Sequence, residues 1–164
     1  MKNQLSKEKL LSQTTLLSSL DPAQMSEISK HISTIKLDQG EILFNQDDEY
    51  HSFFIVITGL IKLYRHSASG QEKIIELEGK GRAFAEAIMF REHSSYPVTA
   101  KAMQDSVLFK VNASHFRNIL LKSPETCMSV MADLSYRLHS LVKEIDNLCL
   151  LTGRNRASMF LLDQ

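Results

Sequence analysis

Between residues 32 and 111 the chain keeps returning to one pattern, a short apolar or alternating segment followed by turn-forming residues. The segments are 32–37, 41–44, 53–57, 60–64, 73–77 and 106–111. Between them stand Asp38-Gln39-Gly40, Asp47-Asp48, Gly59, Ser67-Ala68-Ser69-Gly70, and Gly79 with Gly81. Strands this closely spaced leave no room for crossover helices, so the pattern predicts a barrel or sandwich rather than a parallel α/β sheet. Ser67-Ala68-Ser69-Gly70 reads as a hairpin loop joining 60–64 to 73–77.

Helical periodicity flanks this region on both sides. Residues 7–31 carry Leu10, Leu11, Leu16, Leu17 and Leu20 as an apolar cluster. Asp21-Pro22 then supplies an N-cap and a first-turn proline for a second short helix with Met25 and Ile28 inward. Asn112 caps a helix containing Phe116, Ile119 and Leu120, and Ser123-Pro124 restarts a longer one. Along the latter, Cys127, Met131, Leu134, Leu138, Leu141, Ile145 and Leu148 alternate at spacings of four and three. That is a heptad with Met131, Leu138 and Ile145 at a and Cys127, Leu134, Leu141 and Leu148 at d, the pattern of a parallel two-stranded coiled coil. Val130, Val142 and Cys149 widen the stripe, so one helix can rest on its own domain and meet a second copy. A homodimer through helix 124–151 is expected, with Cys127 able to form an interchain disulfide on oxidation. Thr152-Gly153 is expected to end the helix through a glycine C-cap, and a further helical pattern starts at Arg154.

The bulk numbers exclude several classes. Lys+Arg and Asp+Glu balance at 19 each in 164 residues, so no net field draws the chain to nucleic acid or an anionic membrane. No apolar run approaches the roughly 18 residues of a membrane span, and the N-terminus lacks the apolar core of a signal peptide. Cys127 and Cys149, on one helix, lie roughly 33 Å apart at about 1.5 Å per residue, far beyond a disulfide's reach of about 7 Å. Unpaired thiols and no membrane segment lead to the expectation of a cytoplasmic protein.

Several motifs together resemble the CRP/FNR family of bacterial transcription regulators. They are Gly40-Glu-Ile-Leu-Phe44, Phe53-Phe-Ile-Val-Ile-Thr-Gly59, Lys62-Leu-Tyr-Arg65, Ser69-Gly-Gln-Glu-Lys-Ile-Ile75 and Phe84-Ala-Glu-Ala-Ile-Met-Phe90. Arg154-x-Arg-Ala-x-x-Phe-Leu-Leu162 is similar to the helix that opens the family's helix-turn-helix domain. The resemblance implies an α+β fold: a double-stranded β-helix (jelly-roll) cyclic-nucleotide-binding-like barrel with N-terminal helices and a long C-terminal dimerisation helix. It divides the chain into N-terminal helices (1–31), barrel sensor (32–123), coiled-coil dimerisation helix (124–152) and the start of a truncated DNA-binding domain (153–164). DNA binding is expected only where the full helix-turn-helix domain is present.

Residues 81–100 look like that family's phosphate-binding cassette, a glycine turn, one short helix and a return into a strand. Glu86 stands where the family's glutamate holds the ribose, but Tyr96 occupies the position of the arginine that grips the phosphate. Losing a charge-assisted contact of that kind costs roughly 1.5–3 kcal/mol, and Glu86 adds repulsion toward an anion. The short helix still offers backbone N–H groups, and Lys101 or Arg91 are candidate substitutes. Cyclic nucleotide is therefore the less favoured effector. An iron–sulfur cluster needs four thiolates where the chain has two cysteines.

The segment through Tyr96-Pro97-Val98 is similar to the subgroup of dissimilatory nitrate respiration regulators, which implies haem and nitric oxide. Phe84, Ala85, Glu86, Ala87, Met89, Tyr96, Pro97 and Val98 are the candidate site residues, Phe84, Met89, Tyr96, Pro97 and Val98 supplying an apolar pocket. None of the six histidines forms a metal-spacing pair, so the axial ligand is unassigned. In a third reading the pocket is filled by its own side chains and Glu86 caps the short helix. Gly79-Lys80-Gly81 lacks the spacing of a phosphate loop and reads as a tight turn. The chain is not expected to be an enzyme: a cupin-like site needs clustered histidines, and no nucleophile motif is present.

Overall fold

The computed structural model describes residues 11, 14, 16–67, 70–91 and 95–162, excluding the side chains of 137, 144 and 147–162. Helix α1 (Pro22–Ser29) begins at a reciprocal capping box: the Asp21 carboxylate accepts from the Gln24 N–H at 2.8 Å, and the Gln24 side chain accepts from the Asp21 N–H at 3.1 Å. Strands follow as β1 (Ile32–Leu37), β2 (Ile42–Phe44), β3 (Ser52–Thr58), β4 (Leu60–His66), β5 (Glu72–Gly79) and β6 (Ala83–Phe84). A 3₁₀ helix (Glu86–Phe90) precedes β7 (Thr99–Ala102) and β8 (Ser106–Asn112). Helices α2 (Ala113–Lys122) and α3 (Pro124–Leu162) complete the described chain.

The strands form two antiparallel sheets, β1-β8-β3-β6 and β2-β7-β4-β5, stacked as a sandwich of the expected jelly-roll type. Strand β3 explains the chain's longest apolar run. Its period of two sends Phe54 and Val56 between the sheets, while Phe53 and Ile55 face the helices. From Phe53 to Val56 it is buried on both faces, and its polar residues Ser52 and Thr58 stand at its two ends. The first core, between the sheets, holds Phe44, Phe54, Ile61, Leu63, Phe84 and Leu108 among others. The second packs β3 and β8 against Leu11, Leu16, Leu17, α1, α2 and the root of α3. Leu10 of the expected N-terminal cluster lies outside the described residues.

Two strands are missing from the list of apolar segments, although the reading of 81–100 expected the return into a strand that β7 supplies. Strand β6 has two residues, and β7 is Thr-Ala-Lys-Ala, whose small Ala100 and Ala102 fill the inter-sheet space without an apolar signature. The hairpin of β4 and β5 and both later caps stand as expected: Asn112 Oδ1 accepts from the His115 N–H at 3.0 Å, and Ser123 precedes Pro124. The end of α3 differs. The helix runs through Thr152 and Gly153 to Leu162 rather than ending at a glycine cap, because a helical glycine costs only about 1 kcal/mol and no proline forces a stop.

One glycine is sterically obligatory. At Gly59, between β3 and β4, φ is +103° and an added Cβ would lie 2.0 Å from Ser106 Oγ.

Candidate functional site

Residues 79–98 are anchored at both ends by main chain. The Gly81 N–H donates to the Val56 carbonyl at 2.8 Å and the Val56 N–H to the Arg82 carbonyl at 3.0 Å, which brings β6 onto β3. Ala85 then turns the chain into the 3₁₀ helix with φ of +64°. That conformation costs an L-residue about 1–2 kcal/mol. The exit is pinned where Tyr96 donates its N–H to the Asp48 carbonyl and accepts from the Asp47 N–H.

Tyr96 is turned into the sandwich and only 5% exposed. Its ring lies on Phe44 with centroids 3.8 Å apart and planes 14° apart, and its hydroxyl donates to the Ser52 carbonyl at 2.7 Å. Phe54 and Phe84 extend the aromatic layer, with centroids 5.5 Å apart. The position is occupied by core packing and presents no group to a ligand.

The polar end of the inter-sheet space is dominated by carboxylates. Ile61 and Leu63 point between the sheets, and their cross-strand partners Glu78 and Glu76 share that face. The Glu78 side chain is 4% exposed and lies 3.4 Å from Arg82 Nε. Burial, then the charge and hydrogen bond of Glu76, push the Glu78 carboxyl up to about 7, against the pull of Arg82. Glu86 is also raised, by burial first; its own backbone N–H opposes this, Glu76 reinforces it and Arg82 offsets it. Arg82 is thus paired with Glu78 and acts on Glu86, while burial holds both carboxyls toward their neutral form.

The sequence profile of the cyclic nucleotide-binding domain matches residues 34–123, more than half of the chain. The chain belongs to the cyclic nucleotide-binding domain family. Among solved structures it resembles the sensor domain of the transcriptional regulator DNR from Pseudomonas aeruginosa, at 33% identity and TM-score 0.77, covering 88% of this chain and 96% of that one. The cyclic AMP receptor protein of Thermus thermophilus is 28% identical over 124 residues, 76% of this chain and 57% of the relative. Lysophospholipase nte1 of Aspergillus terreus is 24% identical over 134 residues, 82% of this chain but 9% of the relative. The chain therefore spans only part of these curated relatives.

Within the cyclic nucleotide-binding domain, the eight candidate residues do not converge on one cavity. Phe84, Tyr96 and Val98 join the inter-sheet core and Ala85 touches both cores. Met89 faces the helical core instead, while Ala87 and Pro97 are exposed. The expected apolar pocket of Phe84, Met89, Tyr96, Pro97 and Val98 is thus filled by its own aromatic rings, and the helical turn splits its members between two cores. Neither suggested substitute cation reaches the inter-sheet space. Lys101 pairs with Lys62, whose neighbours Ile61 and Leu63 take the inner face, and Arg91 lies on the far side of the 3₁₀ helix.

On that far side runs a groove of about 610 Å³ between the 3₁₀ helix, α2 and the start of α3. Tyr50, Met89, Phe90, Arg91, Arg117 and Cys127 are among its lining. Of these, sequence reasoning assigned Met89 to a pocket and Arg91 to a phosphate, but gave Tyr50 and Arg117 no role. Cys127, half-buried in this lining, faces its own domain rather than a coiled-coil seam, because Val130 and Thr126 anchor the root of α3. The exposed apolar stripe of the heptad accordingly starts at Met131. Met131, Leu134, Leu138, Leu141 and Ile145 are 43–62% exposed along α3; Leu148 lies among the undescribed side chains. No group of three histidine, cysteine or acidic side chains among the described residues is placed to hold a metal ion. Among the described residues no helix is long and apolar enough to cross a membrane.

Proposed function

We propose that the chain is the non-catalytic sensor and dimerisation module of a CRP/FNR-type transcription regulator, and that its effector is nitric oxide sensed through haem rather than a cyclic nucleotide. One observation argues against a cyclic nucleotide: the residue at the phosphate-gripping position, Tyr96, is committed to a stack on Phe44 and a bond to Ser52. With Arg82 already paired with Glu78, a cyclic phosphate finds no unpaired cation between the sheets among the described residues. Likeness to the sensor domain of the regulator DNR supports the regulatory reading. The exposed heptad face of α3 supports a homodimer, since five large apolar side chains in one stripe remain in water otherwise.

Haem, when bound, supplies an iron at which nitric oxide can ligate. The groove beside the 3₁₀ helix has the chemistry to hold it. Apolar Ile88, Phe90 and Leu121 line it beside Arg91 and Arg117, and Met89, Cys127 and Tyr50 are of the side-chain types that ligate haem iron. Among the described residues its lining contains no histidine. An occupant there touches the root of α3, so effector binding would bias the helix that positions a DNA-reading segment.

The deciding experiment is a haemin titration with and without nitric oxide, cyclic AMP serving as competitor. Absorbance bands of ligated iron that shift with nitric oxide are expected. A flat response with tight cyclic AMP binding would overturn the reading in favour of a cyclic-nucleotide module whose phosphate rests on Arg82.

A further inference from the structure

We propose that Tyr50 is a positioning residue that couples the groove beside α3 to the inter-sheet space through a latch: its buried hydroxyl, unbonded in this conformation, takes up the Glu86 carboxyl when an occupant of the groove displaces the 3₁₀ helix. The latch deepens the sensor reading above and rests on it for the effector's place, but not on iron.

The hydroxyl is the first observation. It is buried from solvent and has no hydrogen-bond partner among the described residues. A donor left in that state costs about tenfold in the folding equilibrium. Bulk solvent does not reach it, so a side chain already inside has to satisfy it. Burial first, then Tyr96 and Glu86, push the phenol far above its ordinary range, so it keeps its proton and remains a donor.

Those two neighbours differ in freedom. Tyr96 meets the Tyr50 ring edge-on with centroids 5.3 Å apart. Its own hydroxyl is spent on Ser52, and its main chain is bonded to Asp47 and Asp48. The Glu86 carboxyl takes its own backbone N–H and lies within the influence of Glu76 and Arg82. A carboxyl accepts at up to about four lone-pair sites, so capacity is left for Tyr50.

The second observation is where Glu86 sits. It opens the five-residue 3₁₀ helix whose Ile88, Met89 and Phe90 line the groove. A 3₁₀ turn is held by hydrogen bonds of poorer geometry than those of an α-helix. This one starts from left-handed Ala85, which offers no side chain to cap it. Of the groove's three walls it is the easiest to move. Third, Tyr50 packs against both hydrophobic cores and also lines the groove, so a shift of the helix reaches it directly. An occupant pressing on Ile88 and Met89 converts an unsatisfied donor into a bond, and that bond favours the displaced helix. With its hydroxyl committed to the latch, Tyr50 leaves Met89 and Cys127 as the groove's candidate ligands for a haem iron.

The test uses an occupant other than haem, for which Cys127 in the lining is the point of attachment. Urea unfolding is measured on the whole chain in a Cys149→Ser background, with and without alkylation of Cys127 by N-phenylmaleimide. The variants are Tyr50→Phe, Glu86→Ala and the pair; mass spectrometry checks the adduct and circular dichroism the fold. Without the adduct, Tyr50→Phe is expected to raise the folded-to-unfolded ratio several-fold, whether or not Glu86→Ala is present. With the adduct it should lower the ratio about tenfold, and Glu86→Ala should abolish that loss. A tyrosine that only fills space gives the same sign in both states.

A sign that does not change on alkylation, or a loss already present without the adduct, overturns the latch. So does a Cys127 that fails to react in the folded chain, since the groove then admits no occupant. Haemin titration separates the two readings. Absence of ligated-iron bands with the sign reversal intact sinks the haem reading and leaves the latch; bands without the reversal do the opposite.

Discussion

Tyr96 lies face to face with Phe44, centroids 3.8 Å apart, while its hydroxyl reaches back to the Ser52 carbonyl. One side chain thereby joins β2, β3 and the end of the cassette, at the position where the family resemblance puts a ligand-binding arginine.

Removing only the hydroxyl, in Tyr96→Phe, should cost about 1 kcal/mol, the net worth of one buried hydrogen bond. Tyr96→Ala should cost about 3–5 kcal/mol, because the cavity adds to the lost burial. Tyr96→Arg should be at least as damaging as the alanine change and should not confer cyclic AMP binding, since the cation would be buried without a partner. Urea unfolding and a cyclic AMP titration check the three. Tight cyclic AMP binding by a stable Tyr96→Arg protein would show that the ring is not structural.

Ala85→Gly should stabilise the domain by about 0.5–1 kcal/mol. The alanine is held at φ +64°, a strain of about 1–2 kcal/mol, while the extra freedom of glycine in the unfolded chain returns about 0.4–1 kcal/mol. A lower thermal midpoint in the variant would contradict the conformation.

Gly59→Ala should be the reverse case, costing about 3 kcal/mol or more through left-handed strain and collision with Ser106. Loss of folded protein, or a large drop in urea midpoint, is the expected result. A variant of native stability would mean that β8 moves away from Gly59 freely.

Stability should fall as pH rises through the weakly acidic range. The buried Glu78 carboxyl is pushed from 4.5 to about 7, so over that window the unfolded chain releases a proton that the folded chain keeps. The loss is on the order of 2–3 kcal/mol, and Glu86, raised in the same direction, steepens it. Glu78→Gln should flatten the profile measured by urea unfolding across the window. An unchanged slope would assign the effect elsewhere.

Leu138→Asp with Leu141→Asp should leave the domain folded, because both side chains are exposed on it, and should give monomers by sedimentation where the unaltered chain gives dimers. A dimer surviving both changes would remove the α3 seam from the interface.

The sequence was most legible where one residue's chemistry acts locally. The caps Asp21, Asn112 and Ser123 stand at the expected helix starts, and β3 declared itself because both its faces are apolar. It was least legible where the outcome depends on distant partners. Whether Tyr96 points at a ligand or into the core is decided by Phe44 and Ser52, more than forty positions upstream. Cys127 fits a heptad by spacing, but Val130 and the Gln24–Thr126 hydrogen bond fix which way the first turns of α3 face. Tyr50 carried no signal at all, since an orphan hydroxyl exists only once the walls around it are built.

Among the described side chains, helix α3 is gripped at its root alone. Val130 is buried in the helical core and Asp133 accepts from Ser19, and from residue 134 to 146 every described side chain is exposed. Residues 134–162 then extend roughly 43 Å at about 1.5 Å each. Leverage follows from these proportions: a tilt of about 5° at the root sweeps the far end by about 4 Å over that length. A rearrangement around Cys127 no larger than a side-chain shift is thereby magnified into a displacement comparable to the separation of neighbouring atoms across a packed interface.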